Sequence, residues 1–103
     1  MYIIVFLVPS NHVENVKNAM FHVGAGEVGD YKNCSWQALG EGQFMPLKNS
    51  NPFIGEKNKI NKVPEFYVQM VCNADKIESA ITALKNAHPY EEPAYYVIKP
   101  ENF

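Results

Sequence analysis

Arginine is absent from this 103-residue chain, and all nine of its basic residues are lysines. The planar guanidinium is the group that most often forks onto guanine or phosphate, so its absence argues against nucleic-acid recognition. Eleven acidic residues leave a net charge of only -2, which implies no bulk electrostatic partner. Long hydrophobic runs are missing too. The apolar stretch Tyr2-Ile3-Ile4-Val5-Phe6-Leu7-Val8 is far below the roughly 20 residues that span a bilayer, and it lacks the basic leader and small-residue cleavage site of a secretory signal. The expectation is a cytoplasmic protein with no membrane partner. Cysteine is scarce: Cys34 and Cys72 stand far apart without CxxC spacing, which favours reduced thiols over a disulfide framework. What the chain does contain, 47% hydrophobic and 13% aromatic residues, suffices for one domain over residues 1–103 with a core that needs no metal or disulfide staple.

Residues 2–8 form a continuous β-branched and aromatic run ending at Pro9, the pattern of a strand buried on both faces. Asn11 and Glu14 have capping-box spacing, and Val13, Val16, Met20 and Val23 recur at helical intervals until Gly24, which predicts a helix over 11–23. Alternation from Cys34 through Trp36 and Ala38 predicts a second strand running to about Phe44. A third strand is expected over Val63–Cys72, where Phe66, Val68, Met70 and Cys72 oppose Tyr67, Gln69 and Val71. Asp75 and Glu78 repeat the capping-box spacing ahead of an apolar stripe of Ile77, Ala80, Ile81, Leu84 and Ala87, which His88-Pro89 ends. Ala94–Ile98 supplies the last strand.

The resulting order, β-α-β-β-α-β, with right-handed crossovers puts both helices on one face of a four-stranded antiparallel sheet. The expected fold is an α+β ferredoxin-like sandwich. Its other face carries Trp36, Tyr95 or Tyr96, and one row of the third strand, too apolar to stay bare, so association through that face is expected. The Gln43–Lys62 link is long for a hairpin, and its Pro46, Pro52, Phe44, Phe53 and Ile54 suggest that it packs against something. Its lysines, Lys48, Lys57, Lys59 and Lys62, read as a solvated fringe.

Two motifs invite a chemical reading. Gly24-Ala25-Gly26-Glu27-Val28-Gly29 matches GxGxxG, but it follows a helix and leads to a strand, so no helix N-terminus faces a phosphate there. These glycines more readily let the chain leave the first helix through positive φ and pass close to a neighbour, with a backbone-lined pocket for a small ligand as the functional alternative. His88-Pro89-Tyr90-Glu91-Glu92-Pro93 concentrates an imidazole, a phenol and two carboxylates between prolines. Glu91 and Glu92 are adjacent, so on extended backbone they face opposite ways and cannot form a catalytic dyad. A structural reading has the turn end the second helix while a carboxylate ties it to a neighbouring loop. A metal reading joins His88 with Glu91 or Glu92, and with His12, His22 or Cys34, around zinc or copper.

The stretches from Gly24 to Trp36, Gly40 to Pro46, Asn51 to Gly55 and His88 to Tyr95 resemble the small domain inserted in Nif-three-like proteins of the YqfO-type group. That domain is similar to the CutA and PII signalling proteins, and the His-Pro-Tyr-Glu turn is itself similar to one in CutA. The resemblance implies a stand-alone PII-like or CutA-like module, a homo-oligomer (trimer or dimer) with clefts between subunits. The dinuclear metal centre of full-length relatives lies in flanking domains that this chain lacks, so hydrolase chemistry is not carried over. The reading is a regulatory module, not an enzyme and without catalytic residues. It binds a small-molecule ligand through His88, Tyr90, Glu91, Glu92, Gly24, Gly26 and Gly29, with a divalent metal as candidate cofactor on His88, Glu91 and Glu92. The alternatives are a metal-dependent hydrolase and a structural partner of separately encoded dinuclear-metal domains.

Overall fold

In the computed structural model, which describes all 103 residues, the first strand β1 (Tyr2–Pro9) runs through the middle of the sheet. Helix α1 (Val13–His22), strands β2 (Trp36–Phe44) and β3 (Asn61–Cys72), helix α2 (Ile77–Ala87) and strand β4 (Tyr95–Ile98) follow. The sheet order is β2-β3-β1-β4, and every neighbouring pair is antiparallel. This is the ferredoxin-like sandwich expected from the sequence.

The period-2 pattern fixes which side meets the helices. Ile4, Phe6 and Val8 of β1 and Val68, Met70 and Cys72 of β3 join Val13, Val16 and Met20 of α1 and Ala80 and Leu84 of α2 in one buried cluster. Tyr95 packs against that cluster, with the Lys85 ammonium 5.4 Å from its ring centroid. The register pairs Phe6 with Tyr95 and Val5 with Tyr96, so Tyr96, not Tyr95, faces the open side. Trp36, Tyr67, Tyr96 and Ile98 share that side, and Trp36 and Tyr96 are 63% and 61% exposed.

Three expectations need correction. Neither capping box forms: 3-10 turns at Ser10–His12 and Ala74–Lys76 lead into the helices, and no side chain caps either helix. The tighter turn satisfies backbone groups itself, as where the Lys76 amide donates to the Asn73 carbonyl at 2.9 Å. Strand β2 begins at Trp36, not Cys34, because the Cys34 amide donates to the Gly26 carbonyl at 2.8 Å and so leaves the ladder. Strand β2 ends at Phe44 as expected, but β3 begins at Asn61, not Val63, because Asn61 pairs with Phe44, and the link shortens to residues 45–60. Beyond Glu65, which pairs with Pro9, β2 and β3 project past β1 as a two-stranded ribbon.

Gly24, Gly26 and Gly29 all have positive φ, 104°, 77° and 54°. Only Gly26 is also tightly enclosed: a Cβ there would lie 2.8 Å from Phe21 Cε1 and 2.9 Å from the Cys34 carbonyl oxygen, whereas nothing lies within 4 Å of one at Gly29. Gly26→Ala should therefore destabilise the fold by roughly 2–3 kcal/mol, combining left-handed backbone strain with overpacking. Gly29→Ala should cost about 1 kcal/mol. Urea unfolding of the two variants side by side checks the difference, and equal costs would contradict it.

Candidate functional site

His88 ends α2, its amide donating to the Leu84 carbonyl at 2.9 Å. With Pro89 next, the backbone at His88 turns extended, φ -71° and ψ 133°. This sends the imidazole inward, where it is only 5% exposed. Its Nε2 lies 2.7 Å from the Leu7 carbonyl oxygen on β1, and its Nδ1 accepts the Tyr90 amide at 3.1 Å. A carbonyl can only accept, so Nε2 carries the proton and the ring is the neutral tautomer. Burial lowers the His88 pKa; the Leu7 hydrogen bond and the Glu65 carboxylate oppose this without cancelling it, and His12 adds to the lowering.

The ring clamps the turn that follows. Tyr90 stacks at a tilt against His88, centroids 5.1 Å apart, and against Phe44 at 6.0 Å. Its hydroxyl is buried without a hydrogen-bond partner. Burial pushes the phenol pKa well up, and the Glu65 carboxylate adds to the rise, although the two groups do not meet in hydrogen-bond geometry. Glu65 is itself 8% exposed. Gly42 leaves room for its carboxylate, since a Cβ at that position would overlap it.

One residue further, Glu91 Oε1 accepts the Asn51 amide at 2.8 Å, tying the turn to the 45–60 loop. That loop is braced internally by Asn61, whose side chain donates to the Glu56 and Lys59 carbonyls and accepts the Glu56 amide. It also folds back so that Phe53 meets His12 edge to face at 5.4 Å. Between loop, ribbon and turn lies a cleft of about 850 Å³, lined by Glu41, Phe44, Phe53, Glu65, Tyr90, Glu91 and Glu92 among others.

Of the residues singled out from sequence, Tyr90, Glu91 and Glu92 line this cleft, while His88 stands behind it as the support that orients them. Gly24 borders a separate depression of about 570 Å³ with His22, Lys32 and Lys76; Gly26 and Gly29 line neither, and the two clefts share no residue. The His88, Glu91 and Glu92 set does not fit a metal within this chain. Both imidazole nitrogens are engaged, one Glu91 oxygen holds Asn51, and no group of three or more His, Cys, Asp or Glu side chains has the spacing to hold an ion. Sequence reading missed Glu65, Glu41 and Gly42. The available signal was Glu65 itself, an acid in the row it shares with Tyr67 and Gln69, opposite a strand with glycines at 40 and 42.

In the unfolded chain His88 should titrate near 6.5, the ordinary histidine value, and in the fold it titrates lower. Between those two values the unfolded state binds a proton that the native state does not. Stability should therefore fall as pH drops through about 6.5 and level off below the native pKa. His88→Ala should cost roughly 2–4 kcal/mol, since the Leu7 carbonyl and Tyr90 amide lose their partner, and it should remove this component of the pH dependence. Urea midpoints of both proteins between pH 5 and 8 measure it; an unchanged pH profile in the variant would contradict the assignment.

No protein-family model matches the chain. It is 44% identical over 91 residues to a Mycobacterium leprae protein described as a GTP cyclohydrolase 1 type 2 homolog, a match covering 88% of this chain and 24% of that protein. A Bacillus subtilis protein of the same description is 36% identical over 94 residues, covering 91% and 25%. The chain thus spans about a quarter of the length of these relatives. Among solved structures, a Bacillus cereus protein related to NIF3 superposes with a TM-score of 0.83 at 32% identity, over 98% of this chain and 26% of that one. CutA from Pyrococcus horikoshii superposes with a TM-score of 0.72 at 17% identity, over 100% and 87%, a likeness of fold alone. The chain is thus similar in sequence to one segment of these longer proteins, including the protein related to NIF3, and it shares its fold with CutA.

Proposed function

We propose that the chain acts as an oligomeric, non-catalytic binding module of regulatory type, taking a small ligand in the cleft beneath the 45–60 loop. The observation that carries this reading is the cleft itself, in which Tyr90, Glu91 and Glu92 converge with the buried Glu65 beside aromatic walls. A concave, largely apolar site with a few fixed polar groups is the usual form of a small-molecule site. Its walls come from a loop, a ribbon and a turn joined by few bonds, so a ligand can order them further. Self-association is supported by the open sheet face, where Trp36, Tyr67, Tyr96 and Ile98 lie exposed on one side. An apolar row of that kind is stabilised by a second copy.

Native mass spectrometry at micromolar concentration tests both parts of the proposal. The expected spectrum is a homo-oligomer, and Trp36→Lys should shift the population toward monomer, with an intact far-UV spectrum showing that the fold survives. A monomeric wild-type protein contradicts self-association. The absence of any adduct or thermal stabilisation across a metabolite panel contradicts the ligand-binding role.

A further inference from the structure

The charges around the cleft beneath the 45–60 loop are all of one sign. Glu41, Glu65, Glu91 and Glu92 line it, and no lysine does, although nine lysines occur in the chain and four of them sit in or beside the loop. Those lysines are directed elsewhere where their bonds are seen: Lys57 Nζ donates to the Lys48 carbonyl at 3.2 Å, and Lys59 pairs with Glu56 at 2.8 Å. Glu65 is more than nine-tenths buried and takes part in neither of the two ion pairs of the structure, Lys17–Glu14 and Lys59–Glu56. The Tyr90 hydroxyl beside it is buried without a partner. A buried carboxylate lacking a counter-charge is costly unless something cationic or hydrogen-bonding meets it.

We infer that the cleft binds an organic ammonium compound of the alkyl diamine or polyamine class, with one ammonium on Glu65 and the apolar stem along Phe44 and Phe53. This inference rests on the proposed ligand-binding role of the same cleft and adds the chemistry of its occupant. A compact divalent ion is a poor match, because it needs about four or more ligand atoms converging within roughly 2.6 Å, and these carboxylates do not converge. Separated carboxylates on an aromatic and aliphatic surface suit a cation whose charges are spaced by methylenes. The aromatic faces add cation–π attraction, and the exposed Glu92, which also lines the cleft, is available to a second ammonium. The Tyr90 hydroxyl can accept from the first ammonium, which resolves its unpaired state.

The test titrates the 103-residue chain with putrescine and spermidine, following backbone amide shifts by NMR and affinity by calorimetry. Butanediol and succinate serve as neutral and anionic probes of the same length. The diamine should give saturable shifts at Gly42, Asn51 and Tyr90, spermidine should bind more tightly, and butanediol and succinate should not saturate. Glu65→Gln should weaken diamine binding about tenfold through loss of one charge-assisted contact. Exposed Glu92→Gln should weaken spermidine more than putrescine, and it serves as the second variant should Glu65→Gln not fold. Saturable binding of succinate instead, at the same amides, would overturn the cationic assignment while leaving the ligand-binding role intact. Absence of binding by every probe, with the cleft filled by a lysine of a second copy in the oligomer, would overturn both. Unchanged diamine affinity in both variants would also overturn the assignment.

Discussion

The imidazole of His88 joins three parts of the molecule that the chain order keeps apart. Its Nε2 proton goes to the carbonyl of Leu7 on the central strand, its Nδ1 takes the amide of Tyr90, and its own amide closes the last turn of α2. A side chain that donates and accepts at once in a buried place can hold a turn against a strand with no charge. The direction of Tyr90 follows from that clamp, and so does the position of Glu91, which receives the Asn51 amide and fixes the loop. Removing the ring would leave the turn without its tie to the central strand, held by the Glu91–Asn51 hydrogen bond and the contact of Tyr90 with Phe44.

The cleft inherits its character from two consequences of this arrangement. Tyr90 packs at a tilt between His88 and Phe44 with its hydroxyl beside Glu65, and the absence of a side chain at Gly42 gives that carboxylate its place. Packing thus assembles a polar floor under apolar walls, in a chain whose interior is otherwise aliphatic and aromatic. The open sheet face is a separate matter of layer geometry: two helices cover one side of four strands, and the aromatic row on the other side is left for another molecule to bury.

Most of the fold could be read from the sequence because its signals are local. The run from Tyr2 to Val8 and the stripes ending at Gly24 and His88 each state their period within a dozen residues, and right-handed crossovers leave few ways to arrange them. Helix entry misled, since Asn11 and Asp75 stand where capping side chains belong, yet a 3-10 turn took over the backbone groups they would have served. Cys34 also alternates like a strand residue, but the glycine segment claims its amide. The site was legible only in part. Tyr90, Glu91 and Glu92 announced themselves by concentration between prolines, whereas Glu65 and Gly42 matter because of strand register, and register depends on where a long loop closes.

The central claim is that a neutral, Nε2-protonated His88 holds the site together. Long-range proton–nitrogen NMR of the imidazole during a pH titration tests it most directly. The account predicts an Nε2–H tautomer with Nδ1 as acceptor at neutral pH, and a titration midpoint below the ordinary value of about 6.5. An Nδ1–H tautomer, or a midpoint at or above that value, would contradict it.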